Sequence, residues 1–336
     1  MIVQHLQLCN YIPFMAFRQV NAYEIVWSFG KVKSEKRKVK LLPAVVFALA
    51  LAVLRNVHSV PSPAAETVQV RVKHGDMVVT GPLEEYLVGV VAAEMPADFA
   101  PEALRAQAVA ARTYTLYCMR SGKHTDADVC TDYHCCQAWK SVEDTDKPAR
   151  IREAVYSTAG EYLQFAGRAA FTAFHSSSPG FTEACGAIWS ELPYLVSVSS
   201  PESADSVPGF VSRVDIGVFD LRDTLLAVCP EADFTAPPEE WFGEITRDES
   251  GRVSTAVIGG QVFTGVKLRE LLKLRSTAFT VDYADGVFTF TVTGFGHGVG
   301  MSQYGANVMA MDGADYREIL AHYYPGTKLA SLNLSS

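Results

Sequence analysis

Hydrophobic and polar positions alternate along residues 67–81, TVQVRVKHGDMVVTG, with His-Gly-Asp at the centre. Alternation is typical of half-buried β-strands, and a glycine between two such runs predicts a hairpin. Apolar residues then recur at helical spacing over residues 83–94, which predicts a helix. Proline is favoured in the first turn of a helix, so Pro101 is predicted to begin a second one that runs to about Met119.

The rest of the chain mixes predicted helices and hairpins. We predict a helix over 148–158 and two strands around Gly167. Gly259-Gly260 and Ala284-Asp285-Gly286 each separate two apolar runs, as hairpin turns do. Three further helices are predicted in VKLRELLKL, SQYGANVMAMDG and DYREILAHYYPG. Because the strands form hairpins rather than βαβ units, the predicted fold class is α+β, with mixed helices and antiparallel hairpins.

Residues 203–245 interrupt this pattern, since they include Pro208, Pro230, Pro237 and Pro238. Proline lacks a backbone donor and restricts φ, so this span is predicted to be irregular. It forms either an insertion or a second lobe, and in the latter case the two lobes flank a groove.

The N-terminal part has a basic run followed by an apolar one. KVKSEKRKVK (31–40) leads into fourteen uncharged residues, LLPAVVFALALAVL (41–54). This layout is typical of a single membrane anchor or of a cleaved secretion signal. As a helix it reaches roughly 21 Å, short of the ~30 Å hydrocarbon core, although Lys40 and Arg55 can snorkel. Both alternatives place the rest of the chain outside the cytoplasm.

Four parts are therefore predicted along the chain: a basic cytoplasmic segment (1–40), a transmembrane anchor or signal segment (41–55), a linker (56–67) and an exported domain (68–329). The charge is divided in the same way, with eight Lys/Arg and two Asp/Glu in residues 1–58. Residues 59–336 carry 21 Lys/Arg and 35 Asp/Glu. An acidic body argues against nucleic acid as a partner, because phosphate binding requires a basic face.

One acid lies on the apolar face of the helix predicted over 83–94. At 100° per residue, Glu94 lies within about 40° of Leu83 and Val90. Burial raises the pKa of a carboxyl, and the negative end of the helix dipole acts in the same direction. A carboxyl that stays protonated near neutral pH can act as a general acid. The alternative is a structural ion pair with Arg105 or Arg112, which would lower the pKa instead.

A cluster of cysteine and histidine residues lies in HTDADVCTDYHCCQAW. Zn²⁺ prefers such ligands in a closed tetrahedral site. We predict a structural zinc held by His124, Cys130, Cys135 and Cys136, with His134 as the substitute for Cys135. Four protein ligands leave no open position for catalysis.

Disulfides are the alternative use of the cysteines, because an exported compartment permits them. Cys130 can pair with Cys136, and Cys185 with Cys229. No spacing rule decides between a disulfide and free thiols.

The segment GFGHGVGMSQYGA (294–306) is rich in glycine. It lacks the Lys-Ser/Thr of a P-loop and no βαβ unit surrounds it, which argues against a nucleotide site. Its glycines are expected to let the backbone approach a ligand or the Glu94 helix closely.

Five stretches, in this order, resemble the motifs of the stage II sporulation protein D family. They are YLVGVVAAEMPADFAPEALRAQAVAARTYTLY, VCTDYHCCQAW, FHSSSPGFTEACGAIWSELPYLVSVSSP, LRELLKLRST and GFGHGVGMSQYGANVMAMDGADYREILAHYYPGT. The resemblance covers roughly residues 68–329. It leaves out residues 1–30 and most of 203–245.

The resemblance implies a lytic transglycosylase anchored in the cell membrane, with its C-terminal domain outside the cytoplasm, that acts in forespore engulfment. Such an enzyme cleaves the bond between N-acetylmuramic acid and N-acetylglucosamine of peptidoglycan and leaves 1,6-anhydro ends. The family's catalytic glutamate falls on Glu94. The expected partners are stage II sporulation protein P, an amidase that removes the stem peptides first, and stage II sporulation protein M.

One carboxyl suits this chemistry. A glycoside hydrolase normally needs two carboxyl groups, whereas in a lytic transglycosylase the 6-hydroxyl of the muramic acid attacks C1. The groove between the lobes is then a glycan groove. Ser176, Ser177, His297, Gln303 and Tyr304 are expected to contact the sugars, and ordinary loop packing is the alternative for these residues.

Two other functions remain open at this point. One is a zinc-dependent amidase or peptidase that uses the Cys/His cluster. The other is a non-enzymatic protein that binds glycan and activates the partner amidase.

Overall fold

The computed structural model describes residues 68–332, which form an α+β fold with mainly antiparallel sheets. The helices are α1 (Leu83–Glu94), α2 (Pro101–Ser121), α3 (Pro148–Ser157), α4 (Val218–Leu226), α5 (Gly265–Leu271), α6 (Gln303–Met311) and α7 (Tyr316–Tyr323). The first seven strands are β1 (Gln69–His74), β2 (Met77–Pro82), β3 (Val129–Cys130), β4 (Glu161–Phe165), β5 (Arg168–Ala169), β6 (Phe174–His175) and β7 (Val211–Gly217). The remaining strands are β8 (Phe242–Arg247), β9 (Val253–Ile258), β10 (Gln261–Thr264), β11 (Phe279–Ala284), β12 (Val287–Thr293), β13 (Met301–Ser302) and β14 (Lys328–Ser331).

The predicted hairpins are confirmed. Strands β1 and β2 pair antiparallel, as do β9 with β10 and β11 with β12. Two short pairings are parallel instead, β1 with β3 and β6 with β13, and each joins residues far apart in sequence. Such pairings cannot be predicted from local sequence patterns, because the paired residues come together only in the folded chain.

Helix α2 runs through the main core, and α1, α3, α6 and α7 pack against it. Small side chains at its buried positions let these helices approach closely, and they include Ala103, Ala106, Ala108, Ala110 and Ala111. Helix α1 is buried on most sides, not along one narrow stripe, because α2, α3 and the backbone near residue 140 all cover it.

Arg112 is fully buried in this core, where its guanidinium joins four elements. Its Nε donates to Glu84 Oε1 at 2.9 Å, and Nη2 contacts Glu84 Oε2 at 2.5 Å. The same side chain donates to the carbonyl oxygens of Val155 and Glu161 at 3.1 and 3.0 Å. Arg112 therefore holds the first turn of α1 against the end of α3 and the start of β4.

A second core lies among the elements from β7 to β12. Its fully or nearly buried members include Leu221, Leu225, Trp241, Phe279, Phe288 and Phe290. Residues 203–245 are therefore more regular than predicted, since they contain β7, α4 and the start of β8. The prolines at 208, 230, 237 and 238 lie at the links between these elements or in a short 3₁₀ turn, where proline is tolerated.

The predicted segments at 1–40, 41–55 and 56–67 lie outside the described residues. Within residues 68–332, no helix has the length and apolar character needed to cross a bilayer.

Removing the Arg112 side chain should lower the free energy of unfolding by about 3 to 5 kcal/mol, because Glu84 is left without its cation. Arg105, seven residues away on α2, is partly exposed and pairs with Glu102, so its loss should cost about 1 kcal/mol or less. Urea titrations of Arg112→Ala and Arg105→Ala measure both values. An equal decrease in the free energy of unfolding for the two variants would contradict the assigned role of Arg112.

Candidate active site

Glu94 is the last residue of α1. Met95 precedes a proline, which disfavours helical backbone angles, and Met95 is extended at φ −121° and ψ 141°. The helix therefore stops at the acid, and Pro96 begins the loop to α2. Glu94 is half-buried at this boundary.

The Glu94 carboxylate accepts two hydrogen bonds. The backbone N–H of Ala138 donates to Oε1 at 2.9 Å, and Gln303 Nε2 donates to Oε2 at 3.3 Å. Burial raises the pKa of Glu94, and the two hydrogen bonds offset part of that rise. The group remains a carboxyl that is harder to ionise than an exposed glutamate.

The two arginines considered as partners of Glu94 both bind other acids. Arg112 pairs with Glu84, and Arg105 pairs with Glu102. No cation among the described residues forms an ion pair with Glu94. The structural alternative, an ion pair that keeps Glu94 charged, is therefore wrong.

Glu94 lines an open pocket of about 340 Å³. Ser176, Gln303 and Tyr304, three of the predicted sugar-contacting residues, line the same pocket. The remaining lining residues are Ala92, Ala93, Met95, Pro96, Phe99 and Lys140. Glu94 is the one carboxyl in this set, so the described pocket offers a single acid.

The fold brings these residues together through the β6–β13 pairing. Ser302 caps α6 by accepting from the Gly305 N–H at 3.2 Å, so the next two residues, Gln303 and Tyr304, begin the helix at the pocket. The Tyr304 N–H donates to the Ser176 carbonyl at 3.0 Å. The Tyr304 ring also packs edge-on to Phe99, with centroids 5.0 Å apart.

Ser177 and His297 do not line this pocket, contrary to the prediction that grouped them with Ser176. Ser177 is buried, because neighbouring residues in extended chain point to opposite sides, and its backbone pairs with Phe295. The His297 ring packs 5.0 Å from Trp189. Burial and nearby arginine charges lower the pKa of His297 to about 4.

The glycine-rich segment serves packing at a different place from the one predicted. A Cβ on Gly300 would lie 2.0 Å from the Ala173 carbonyl, and one on Gly298 would lie 2.6 Å from the Arg252 guanidinium. These glycines bring the segment against the residue before β6 and against Arg252 of the second core, and the approach to Glu94 is made by the Gln303 side chain instead. They place β13, and through it the start of α6.

Other buried acids are engaged elsewhere. Burial and the neighbouring Asp248 raise the pKa of Glu183 to about 7. Its carboxylate accepts from Ser250 Oγ at 3.1 Å and lies 3.8 Å from Arg252 Nε. Glu202 accepts hydrogen bonds from Ser178, Ser200 and Ser302. Neither residue lines the Glu94 pocket, so Glu183 has a raised pKa without belonging to that pocket.

The cysteine and histidine cluster forms a second site. Ligand atoms of His124, Cys130, Cys135 and Cys136 all lie within 4.8 Å of one another. His124 Nε2 is 3.2 Å from Cys136 Sγ and 3.8 Å from Cys135 Sγ, and the two sulphur atoms are 4.0 Å apart. A tetrahedral zinc with bonds of about 2.0 to 2.3 Å needs ligand atoms roughly 3.5 to 3.8 Å apart. The four residues therefore fit a zinc ion.

His134, the substitute considered for Cys135, lies apart from this cluster. Its side chain is 72% exposed and its Nδ1 faces Asp132 at 3.3 Å. The described cysteines are all free thiols, which contradicts both disulfide alternatives, Cys130 with Cys136 and Cys185 with Cys229.

A short loop connects the two sites. Two residues after Cys136, Ala138 donates to Glu94, and between them Gln137 Nε2 donates to Thr115 Oγ1 of α2 at 3.0 Å. Sequence patterns did not indicate the Ala138 donor or the pocket residue Lys140. A backbone N–H has no sequence signal, whereas the charge of Lys140 directly after the CCQAW motif is a visible one.

Comparisons with known proteins agree on one family. Residues 73–165 match the family model described as Stage II sporulation protein. The chain is 38% identical over 263 residues to Stage II sporulation protein D of Bacillus amyloliquefaciens and to that of Bacillus subtilis (strain 168), covering 74% of each chain. It is 29% identical over 304 residues to the Amidase enhancer of Bacillus subtilis (strain 168), with 73% of this chain and 40% of that protein aligned.

The raised pKa of Glu94 predicts a pH-dependent cost to stability. The unfolded chain ionises this carboxyl near pH 4.3 and the folded chain at higher pH, so wild-type stability falls between the two values. Glu94→Gln removes this titration. The free energy of unfolding of the variant should therefore rise relative to wild type as the pH increases from the unfolded to the folded pKa, and the difference should stay constant at higher pH. Urea titrations from pH 4 to 8 measure the difference.

Glu244→Gln, the same substitution at an exposed position of β8, serves as the control for the loss of a carboxyl. A fall in the stability of Glu94→Gln relative to wild type as the pH rises would refute the raised pKa.

Proposed function

Because the chain belongs to the stage II sporulation protein D family, we propose that it is a peptidoglycan lytic transglycosylase. It cleaves the bond between N-acetylmuramic acid and N-acetylglucosamine of denuded glycan strands and leaves 1,6-anhydro ends during engulfment of the forespore. The observation that carries the proposal is the single acid of the Glu94 pocket. Hydrolysis needs a second carboxyl to activate water or to attack the sugar, and an internal nucleophile removes that need.

In this mechanism Glu94 acts twice. Its protonated carboxyl donates a proton to the glycosidic oxygen as the bond to C1 breaks. The 6-hydroxyl of the same muramic acid attacks C1, and the Glu94 carboxylate accepts the proton of that hydroxyl. The Ala138 and Gln303 donors, which hold the carboxylate in the structure, keep it aimed at the pocket between the two transfers.

The Cys/His cluster is proposed to hold a structural zinc. When bound, the ion would cross-link His124 to the CTDYHCC turn, which continues directly into the Ala138 donor. Because four protein ligands leave no open coordination position, the cluster favours this role over a zinc-dependent amidase or peptidase.

The cellular setting is part of the same proposal. Residues 41–55 anchor the chain in the membrane and the described domain acts outside the cytoplasm. Its partners are the amidase, stage II sporulation protein P, which supplies denuded strands, and stage II sporulation protein M. A relative named Amidase enhancer supports a link to a cell-wall amidase. The same name also supports a second candidate function, that of a non-enzymatic activator that binds glycan without cleaving it.

Glu94→Gln should lower the release of 1,6-anhydromuramyl ends at least about 100-fold, because the proton donor is lost. Mass spectrometry of products from denuded glycan measures this release. Glu85→Gln, with the same change on the exposed face of α1, should retain wild-type activity.

Wild-type release by Glu94→Gln would refute the assigned acid. Binding of glycan without any product from the wild-type chain would favour the activator. Release of stem peptides would favour the amidase.

Cys136→Ser should lose bound zinc and unfold at lower temperature, whereas His134→Ala should keep a full equivalent of zinc, because Cys136 belongs to the cluster and His134 does not. Elemental analysis of the purified chains measures the metal, and thermal melts with and without chelator measure the stability. A wild-type chain free of zinc, or loss of zinc from His134→Ala, would contradict the proposed ligand set.

A further inference from the structure

The Glu94 pocket contains one cation. Lys140 lines it, and Glu94 and Lys140 are the two charged residues of its lining. Within residues 68–332, no acceptor oxygen binds the Lys140 ammonium, and this charge does not contribute to the pKa of Glu94. By contrast, Lys147, near the same loop, pairs with Asp98. The pocket thus holds a protonatable acid and an exposed, unpaired ammonium.

The backbone of Lys140 is held against the helix that carries Glu94. Its N–H donates to the Gly89 carbonyl at 3.2 Å, and the preceding Ala138 N–H donates to Glu94. Between them, Trp139 packs so closely on α1 that a Cβ on Gly89 would lie 2.0 Å from the indole Nε1. The position of Lys140 relative to the acid is therefore fixed by the backbone, while its side chain is exposed.

An unpaired cation in the pocket of an acidic domain selects an anionic ligand. Residues 59–336 hold 35 Asp/Glu against 21 Lys/Arg, so the surface as a whole disfavours a negatively charged strand. A muramic acid residue carries a lactyl group that ends in an amide while the stem peptide is attached. Removal of the peptide leaves a carboxylate, so the anion is present only on denuded glycan.

We propose that Lys140 binds the lactyl carboxylate of muramic acid and thereby makes the pocket selective for glycan without stem peptides. This inference rests on the proposed function, since it assigns a determinant of substrate choice to the same site. The ammonium recognises the carboxylate as a charge-assisted pair, and the neutral amide of an unprocessed strand offers it no such partner.

The test compares denuded glycan with the same glycan after its lactyl carboxylates are converted to methylamides. Wild type should prefer the carboxylate form roughly tenfold in kcat/KM, the range of a hydrogen bond to a charged group. Lys140→Gln should lose this preference and Lys140→Arg should retain most of it. Added salt should reduce the wild-type preference, because it screens exposed charges. Lys267→Gln, the same charge change on α5 of the second lobe, should behave as wild type.

A binding experiment separates this inference from the proposed reaction. In the Glu94→Gln background, fluorescence anisotropy measures the affinity for labelled glycan in both forms, with and without Lys140→Gln. If Lys140→Gln abolishes a preference for the carboxylate form while the wild-type chain releases no anhydro ends, the lytic reaction fails and the assignment of Lys140 stands. A preference that survives Lys140→Gln, or no preference in the parent chain, overturns the assignment whether or not cleavage occurs.

Discussion

The pairing of Arg112 with Glu84 is the interaction on which the rest of the site depends. Arg112 is fully buried, so its charge requires a nearby carboxylate. Glu84, in the first turn of α1, supplies it. This ion pair fixes the first turn of α1 in the core. Glu94, at the other end of the same helix, forms no ion pair among the described residues, so burial raises its pKa without an opposing cation.

The second constraint is the loop that runs from the Cys/His cluster to the pocket. Cys136 belongs to the cluster, Gln137 bonds to α2, Ala138 donates to Glu94 and Lys140 lines the pocket. Ala138, the donor to Glu94, follows Cys136 by only two residues, so a distortion of the cluster would also displace this donor. The Cys/His cluster is in this sense coupled to the Glu94 pocket through the backbone, although its four members do not line the pocket.

The opposite wall of the pocket is placed by packing between the two cores. Glycines at 298 and 300 let the segment before β13 approach Arg252 and Ala173. Buried Arg252 in turn donates to Ser178 Oγ at 3.1 Å and lies beside Glu183. These contacts set where α6 begins, and so where Gln303 and Tyr304 meet Glu94. The second lobe contributes to the site through this support, without lining the pocket itself.

Local patterns were sufficient to predict the helices and the hairpins and to place Glu94 on an apolar helix face. Hydrophobic periodicity, turn glycines and helix-breaking prolines act on neighbouring residues, so the sequence alone carries these signals. They also predicted which cysteine and histidine residues cluster, since Cys130, Cys135 and Cys136 lie close in sequence. Only the tertiary structure decided that Arg112 binds Glu84, that Ser176 faces the pocket while Ser177 does not, and that Gln303, 209 residues from Glu94, donates to it. Such choices depend on contacts between distant segments, and the burial that raises the pKa of Glu94 exists only once those segments have packed together.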